Sequence, residues 1–438
     1  MGSPVAVRPS SGGASRGRQG ETGRGLNRRA LLAAAATALA TPALAQGGPG
    51  RVVVIGGGFG GATAARVLRA AGLDVALVER SERYVACPRS NEVIAGLRAY
   101  EEQVFGYDAL AREGIALHRD GVAGIDAGAR RVRLASGTEL AYDRLVLAPG
   151  IELSFDALPG YDERAADVMP HAWMAGPQTR LLRDRLAALD DGGLVVMSVP
   201  ANPYRCPPGP YERASLIAYF LKTQRPRSKL IVLDAKDAFS KQALFQQGWK
   251  ALYPNLEWVS LANGGEVREV DIQAGIVATD FERYRPALAN VIPPQRAGAA
   301  ARLAGAADAT GWCPIDPATF ESRLVPNLHV IGDAAIAGAM PKSAFAANAQ
   351  AKHCAAVIAD LLAGRAPVAT KLVNTCYSVI APDYAVSIAG VYRPAGGLLA
   401  DVEGAGGTSP LDAPPETRAL EARYAAEWFR TLTTEVFG

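Results

Sequence analysis

Five cysteines are the residues of this chain whose type could most directly carry chemistry. They are Cys87, Cys206, Cys313, Cys354 and Cys376, an odd number, so complete pairing into disulfides leaves one thiol over. None belongs to a C-x-x-C-H motif, so the sequence predicts no c-type haem on this chain. The four histidines are scattered without metal-ligand spacing, and no metal site is predicted.

A glycine-rich loop offers a second kind of chemistry. It follows an apolar run at 52–55 that has the length of a buried parallel strand, and Gly56, Gly58 and Gly61 have the spacing G-x-G-x-x-G. Residues 62–71 are predicted as a helix and 73–78 as a second strand, which ends at Glu79. The helix N-terminus suits phosphates, and the Glu79 carboxylate suits ribose hydroxyls. We predict an adenine-dinucleotide site.

The first 45 residues differ from the rest of the chain. Arg28 and Arg29 precede an apolar run at 30–44, too short to span a bilayer, which ends in the small-x-small pattern at 43–45. This predicts a twin-arginine secretory signal and an oxidising, periplasmic destination. The segment carries six Arg and one Glu, so its removal changes the formal charge from +3 to about −2. Nothing therefore indicates nucleic-acid binding, and no further run predicts an integral membrane segment.

The middle of the chain predicts a second α/β unit with an altered phosphate loop. Residues 121–147 are predicted as a meander of short strands, and strands are predicted at 193–199 and 229–234. Between the last two lies a loop, 200–212, with five prolines, which remove N–H donors and the helix start that a nicotinamide dinucleotide needs. The loop holds Cys206, so a cysteine stands where phosphates would bind.

The chain is predicted to return to the first sheet with a strand at 327–331 that ends in Gly332-Asp333. Asp333 would then lie near the ribityl chain and pyrophosphate of a flavin dinucleotide. A helix is predicted to follow Ser343 and reach about Leu362, and Lys342 at its start suits the negative charge of a reduced flavin. The alternative for Lys342 is an ordinary solvated surface lysine.

The composition changes after Gly364, and a last helix is predicted from about Thr417. Apolar residues recur on it at 420, 424, 428 and 432. This stripe favours packing against the first domain, with membrane or partner docking as the alternative.

Four motifs together resemble the flavoprotein subunit of flavocytochrome c sulfide dehydrogenase, within the FAD-dependent pyridine nucleotide-disulfide oxidoreductase-like superfamily. They are CPRSNE at 87–92, YRCPPGPYE at 204–212, GWCPID at 311–316 and NTCY at 374–377. The resemblance covers essentially the whole chain after residue 45. The glycine motif alone would indicate only the larger superfamily.

The resemblance implies roles for the cysteines. It implies a covalent bond between Cys87 and the flavin 8α-methyl group, which would account for the odd cysteine count. It implies a redox-active disulfide between Cys206 and Cys376, both expected in loops at the flavin, with Glu212 as acid/base. A purely structural disulfide is the alternative, and four remaining cysteines allow three pairings. Cys354 is expected to be buried and inert, and Cys313 is left unassigned.

The predicted fold class is α/β, with two Rossmann-like dinucleotide-binding domains of glutathione-reductase type and a small C-terminal α+β domain. The predicted parts are the signal at 1–45, an FAD-binding domain at 46–161 and 299–363, a degenerate NAD-like domain at 162–298, and a flavin-covering domain at 364–438. The predicted cofactor is FAD, and its binding residues are predicted to be Gly56, Gly58, Gly61, Glu79, Arg80, Cys87, Val122, Ala148, Gly150, Asp333 and Lys342. The predicted catalytic residues are Cys206, Cys376 and Glu212.

The predicted function is oxidation of hydrogen sulfide to sulfur or polysulfide, with electrons passed to a separate c-type cytochrome subunit in a heterodimer. A sulfide:quinone oxidoreductase at the membrane surface is the alternative. An NADH-dependent disulfide or quinone reductase is disfavoured by the proline-rich loop. An electron-transfer or sulfur-binding subunit without turnover of its own is the remaining interpretation.

Overall fold

The computed structural model describes residues 50–438, so the predicted twin-arginine signal lies outside the described residues. The strands in chain order are β1 (Arg51–Ile55), β2 (Asp74–Val78), β3 (Tyr84–Val85), β4 (Val104–Phe105), β5 (Ala116–His118), β6 (Val122–Asp126), β7 (Arg131–Leu134), β8 (Glu139–Ala141), β9 (Arg144–Leu147), β10 (Ile151–Leu153), β11 (Leu194–Val199), β12 (Lys229–Asp234), β13 (Leu256–Val259), β14 (Val267–Asp271), β15 (Ile276–Thr279), β16 (Arg283–Tyr284), β17 (Leu288–Val291), β18 (Gln295–Ala297), β19 (Cys313–Pro314), β20 (Leu328–Val330), β21 (Ala335–Ile336), β22 (Leu372–Ala381), β23 (Tyr384–Ala395), β24 (Leu398–Asp401) and β25 (Gly407–Thr408).

The α-helices are α1 (Phe59–Ala70), α2 (Ser90–Ile94), α3 (Asp108–Arg112), α4 (Glu163–Val168), α5 (Pro177–Ala187), α6 (Gly209–Gln224), α7 (Gln242–Leu252), α8 (Ala299–Leu303), α9 (Ala344–Leu362) and α10 (Pro415–Phe437). None of the helices between residues 50 and 438 combines the length and the apolar composition that crossing a lipid bilayer requires.

Two parallel sheets organise the chain and confirm the α/β fold class. The first has the strand order β20-β9-β1-β2-β5, and the second has the order β13-β12-β11-β17. Parallel sheets are buried on both faces, which explains why their strands are continuous apolar runs. The predicted meander is confirmed as the antiparallel sheet β6-β7-β8, inserted before β9. The domain boundaries given above stay a prediction.

Two predictions about helix starts are wrong. Helix α1 begins at Phe59, with Gly58 as its N-cap, three residues before the predicted start. The glycine loop turns directly into the helix, so Gly60 and Gly61 are helical. The prolines of the second loop predict the loss of a helix start, but α6 begins inside that loop at Gly209. Proline is compatible with the first turn of a helix, and Pro210 occupies that turn.

The C-terminal part forms an antiparallel sheet in which β22, β23 and β24 pair in that order. Helix α10 packs against β22 and β23 and reaches α1. Its terminal Phe437 stacks on Tyr84 at 5.2 Å between ring centroids and on Phe105 at 5.3 Å. Of the predicted stripe, only Leu432 is buried, residues 420 and 428 are partly buried and Tyr424 is 48% exposed. The helix packs as expected, but its buried face runs through Ala425, Phe429 and Val436.

The glycine loop has no room for a side chain at two positions. Gly56 has φ +99°, in the region that favours glycine, and a Cβ there would lie 2.3 Å from the Ala148 carbonyl oxygen. A Cβ on Gly61 would lie 1.8 Å from the Gly56 carbonyl oxygen. Helix α1 can approach β1 this closely only because residue 61 has no side chain.

We expect Gly61→Ala to destabilise the protein by about 3 kcal/mol or more, because the clash is with backbone and cannot be relieved by a side-chain rotation. The measurement is the melting temperature of the purified protein. Gly60→Ala is the matched control in the same helix, since its Cβ would meet only ordinary contacts of 3.5 Å or longer. Equal melting temperatures for the two variants would contradict this account of the loop.

Candidate functional site

A cavity of about 1320 Å³ lies where the two dinucleotide-type units and the C-terminal sheet meet. It is lined by most of the predicted site residues, namely Gly56, Gly58, Glu79, Arg80, Cys87, Val122, Ala148, Gly150, Cys206, Glu212, Asp333 and Cys376. Gly61 is not among the lining residues, because it faces Gly56 inside the loop. Lys342 is also absent from the lining. The roles assigned to all of these residues stay predictions.

The glycine-loop end of the cavity has the features of a nucleotide cradle. The Glu79 carboxylate accepts a hydrogen bond from the Gly57 amide at 2.8 Å and another from the Ser81 amide at 2.9 Å. These bonds fix the carboxylate at the C-terminal end of β2, directly beside the loop. The amides at the start of α1 are available to phosphate oxygens, as in other dinucleotide sites.

Asp333 lies at the opposite side of the cradle, just after β20. Its Oδ1 is buried and has no hydrogen-bond partner among residues 50–438, although the residue lines the cavity. Burial raises the pKa of this carboxyl group, and the charges of Arg205 and Lys342 oppose the rise. An unpartnered carboxylate oxygen on a residue that lines the cavity fits a bound group that supplies hydroxyl donors, as a flavin dinucleotide does.

Lys342 is not the solvated surface lysine of the alternative interpretation, and its role beside a flavin stays a prediction. Its ammonium donates to the carbonyl oxygens of Asp333 at 2.7 Å and Ala335 at 2.8 Å, and it lies 4.0 Å from the ring centroid of Trp312. The side chain is thus partly buried and engaged with protein rather than solvated. Burial lowers the pKa of Lys342 to about 8.

Cys87 lies in the loop before α2, as predicted. Its Sγ is 4.0 Å from the Trp173 carbonyl oxygen, which also accepts a hydrogen bond from the Arg205 guanidinium. The thiol and the guanidinium therefore meet at one corner of the cavity, and both line it. The sequence predicted a role for Cys87 but none for Arg205 or Trp173.

Cys206 is held in a constrained loop. It has φ +59°, uncommon for a residue with a side chain, and its amide donates to the Lys342 carbonyl oxygen at 2.8 Å. Burial raises the pKa of the Cys206 thiol, and the neighbouring Cys376 and Glu212 add to the rise. This environment favours a neutral or disulfide-bonded sulfur over a free thiolate.

Cys376 lies on β22, whereas the sequence interpretation places it in a loop. The strand escapes the pattern because Asn374, Thr375 and Ser378 interrupt its apolar run. The Asn374 amide nitrogen is 3.5 Å from the Cys376 sulfur, and the Asn374 oxygen accepts from the Ser343 hydroxyl at 2.6 Å. All five cysteines fall within the described residues and are free thiols in this structure.

Glu212 lies in the first turn of α6, close to both cysteines. Its carboxylate accepts hydrogen bonds from the Asn91 side chain at 2.9 Å and from the Val379 amide at 3.1 Å. Burial is the largest influence and raises the pKa of Glu212 to about 7, while the Asn91 hydrogen bond opposes it. A carboxyl group with this pKa can both accept and donate a proton near neutral pH.

The place where the second unit would bind a nucleotide is filled by its own side chains. Asp234, at the end of β12, accepts hydrogen bonds from the Tyr211 hydroxyl at 2.7 Å, the Trp258 ring nitrogen at 2.9 Å and the Lys236 ammonium at 2.6 Å. The Phe239 ring stacks on Tyr211 with 3.5 Å between centroids. The carboxylate that could bind a ribose therefore already accepts hydrogen bonds from three protein donors.

Three further polar residues, besides Arg205, received no role from the sequence. Asn91 and Asn374 are inside the motifs that carried the resemblance, so the motif itself was the signal available for them. Lys241 precedes α7 outside every motif and gave no signal.

Three family models match the chain. The description "Sulfide dehydrogenase [flavocytochrome c] flavoprotein chain, central" matches residues 179–293, and "Flavocytochrome c sulphide dehydrogenase, flavin-binding" matches residues 368–437. "Pyridine nucleotide-disulphide oxidoreductase" matches residues 50–178.

Solved structures share the fold at low sequence identity. The sulfide:quinone oxidoreductase of Aquifex aeolicus is 17% identical, with a TM-score of 0.68 over 88% of this chain and 92% of that chain. Putidaredoxin reductase in its covalent putidaredoxin complex is 17% identical, with a TM-score of 0.62 over 85% and 93%. The NAD-dependent persulfide reductase of A. fulgidus is 15% identical, with a TM-score of 0.58 over 88% and 76%. These similarities show the fold alone.

Among curated proteins, the chain is similar to the sulfide dehydrogenase [flavocytochrome c] flavoprotein chain of Chlorobaculum thiosulfatiphilum. The two are 52% identical over 48 residues, which are all of that sequence and 10% of this chain. With the central and flavin-binding family models matching either side of the cysteine-lined cavity, the chain belongs to the family of flavocytochrome c sulfide dehydrogenase flavoprotein chains.

Proposed function

We propose that this chain oxidises hydrogen sulfide to sulfur or polysulfide through a Cys206–Cys376 disulfide beside bound FAD. The observation that carries the proposal is that both cysteines and Glu212 line the same cavity as the dinucleotide loop. A redox disulfide needs two sulfurs beside an electron acceptor and a group that manages protons. The cavity brings candidates for all three together.

FAD fits the residues at the cavity. The amides at the start of α1 and the Glu79 carboxylate would hold its pyrophosphate and ribose, and Asp333 would accept hydroxyl donors at its unpartnered oxygen. Cys87 would hold the ring system through a thioether. When bound, FAD accepts two electrons from sulfur and releases them singly, as a haem partner requires.

The sulfur chemistry begins at the disulfide. Hydrosulfide attacks one sulfur of Cys206–Cys376, so that a new S–S bond forms as the old one breaks. One cysteine then carries a persulfide, the other is a thiolate, and the entering sulfur has given up two electrons to the pair. The outer sulfur leaves on a further hydrosulfide as polysulfide, or as elemental sulfur. Removal of two electrons from the two cysteines restores the disulfide.

Glu212 is proposed to manage the protons of this exchange. Its pKa of about 7 lets it accept the proton of an entering hydrogen sulfide molecule and return it later. The Asn91 and Val379 donors hold the carboxylate in position while its protonation changes.

A c-type cytochrome is the proposed electron acceptor, in a heterodimer in the periplasm. The relative from Chlorobaculum thiosulfatiphilum is named as the flavoprotein chain of a flavocytochrome c, which supports a haem-bearing partner. The hydrogen-bonded Asp234 carboxylate weighs against a nicotinamide nucleotide in the second unit.

The quinone-reducing alternative rests on fold similarity to a sulfide:quinone oxidoreductase. A steady-state assay with sulfide and either cytochrome c or a soluble quinone separates the two. We expect turnover with cytochrome c. Turnover with quinone alone would replace the proposed acceptor.

Cys206→Ser is expected to slow sulfide-dependent bleaching of the visible flavin band by a thousandfold or more, since losing a reacting group typically costs at least on the order of 10³. The measurement is anaerobic stopped-flow absorbance with FAD still bound. Cys354→Ala, at a buried position on α9, is the control and should react like the parent protein. Flavin bleaching at the parent rate in the Cys206→Ser variant would contradict the disulfide mechanism.

Cys87→Ala is expected to release the flavin on acid precipitation, while the parent protein keeps it in the pellet. The physical reason is that only a covalent bond survives unfolding. Flavin absorbance in pellet and supernatant is the measurement, and Cys354→Ala again serves as control. Free release of flavin from the parent protein would overturn the proposed thioether.

Glu212→Gln is expected to change how stability depends on pH. Because the pKa of Glu212 is raised from 4.5 to about 7, folded protein binds a proton that unfolded protein releases between these values. The contribution of Glu212 to the stability of the parent therefore falls as pH rises from about 4.5 to about 7, by up to about 3 kcal/mol. The glutamine variant should lack this fall.

The measurement is the difference in melting temperature between parent and variant at pH values either side of 7. The buried histidines contribute to both proteins alike and cancel in that difference. The exposed Glu403→Gln variant controls for loss of a carboxylate as such. A difference that does not change with pH would contradict the raised pKa.

A further inference from the structure

Strand β22 presents three polar side chains on one face beside the cavity, at alternate positions 374, 376 and 378. Asn374 and Ser378 are 2% and 1% exposed, and Cys376 lies between them. The Asn374 amide approaches the Cys376 sulfur from one side at 3.5 Å. On the other side of Cys376, the environment depends on Ser378 and on the residue that contacts it.

That contact is Lys241. Its ammonium donates to the Ser378 hydroxyl at 2.8 Å and more weakly to the Val386 carbonyl oxygen at 3.5 Å. The side chain is 8% exposed, and the residue has φ +62°, which fixes it at the entrance to α7. These two bonds leave one ammonium hydrogen without an acceptor among residues 50–438. Both acceptors are uncharged, and a buried ammonium is stabilised when an anionic group lies nearby.

The titratable groups that face Lys241 come from four parts of the fold. They are Glu212 on α6, Cys206 in the preceding loop, Cys376 on β22 and Glu421 on α10. Burial lowers the pKa of Lys241, and negative charge on any of these groups raises it.

The two carboxylates already have other partners. Glu212 accepts from Asn91 and Val379, and Glu421 accepts from the Ser387 hydroxyl at 2.8 Å and Arg418 at 3.3 Å. No charged partner is bonded to either sulfur within the described residues. Of the two cysteines, Cys376 shares a strand face with the serine that Lys241 contacts.

We propose that Lys241, held against β22 by its hydrogen bond to Ser378, is a positioning residue that stabilises negative charge on the sulfur carried by Cys376. This inference rests on the proposed function, in which opening the disulfide leaves an anionic sulfur, either thiolate or persulfide. In the low dielectric of a buried site, a nearby ammonium stabilises such an anion far more than it would in water.

The test uses alkylation of Cys376, which needs no sulfide turnover. Holoprotein with Cys206→Ser keeps Cys376 as a free thiol, and iodoacetamide labelling of its peptide is followed by mass spectrometry across pH. Because only the thiolate reacts, adding Lys241→Met is expected to slow labelling about tenfold at neutral pH and to move the profile to higher pH. Lys241→Arg keeps the charge and is expected to retain most of the rate.

Ser378→Ala provides a second, milder variant, since it removes only the hydroxyl that holds the Lys241 ammonium against β22. We expect an intermediate slowing. Lys250→Met, at an exposed position on α7, is the control for loss of a lysine and should label like the parent. Labelling profiles of Lys241→Met and Ser378→Ala that coincide with the parent would overturn the proposal. Alkylation decides this even if sulfide fails to reduce the flavin, a result that would instead count against the proposed function.

Discussion

The geometry of the site depends on the hydrogen bonds that the buried guanidinium of Arg213 donates. It is 2% exposed and donates to the carbonyl oxygens of His171 at 2.8 Å and Ala172 at 2.6 Å. It also donates to the Asn91 side chain at 3.0 Å. One side chain on α6 thus joins the segment that follows Cys87 to the segment that precedes Trp173. A buried charge satisfied on several sides fixes its neighbours, because any displacement leaves it unpaired.

The two proposed redox sulfurs reach the cavity on very different supports. Cys206 is in a loop stiffened by prolines and held by the Lys342 carbonyl, and Cys376 is in a strand of the C-terminal sheet. Helix α10 presses that sheet onto the first unit through the aromatic contacts of Phe437. Packing of the C-terminal helix beside the cavity therefore supports the strand that carries Cys376, in agreement with the general rule that supporting contacts set the precision of a site.

Local signals account for what the sequence could predict. The glycine spacing and the apolar runs around it predicted the first sheet, because a phosphate loop between buried strands imposes both. The strand at Cys376 could not be recognised, since polar residues on a strand that borders a cavity break the alternation that marks strands. A role for Lys241 could not be predicted from the sequence. It depends on a contact with Ser378, which lies on a strand far away in the sequence.

The hydrogen-bonded carboxylate of Asp234 has a consequence for the direction of electron flow. A flavoprotein with two working nucleotide places exchanges electrons with the nicotinamide pool, and its redox state follows the metabolic state of the cell. Here the tyrosine, tryptophan and lysine donors occupy that contact permanently. Under the proposed function, such a chain is insulated from cellular reductants, so the flavin is reduced through the cysteines and reoxidised at the protein surface. Under the proposed function, core packing in the second unit thereby disfavours nicotinamide nucleotides as electron donors to the flavin and leaves that role to sulfide.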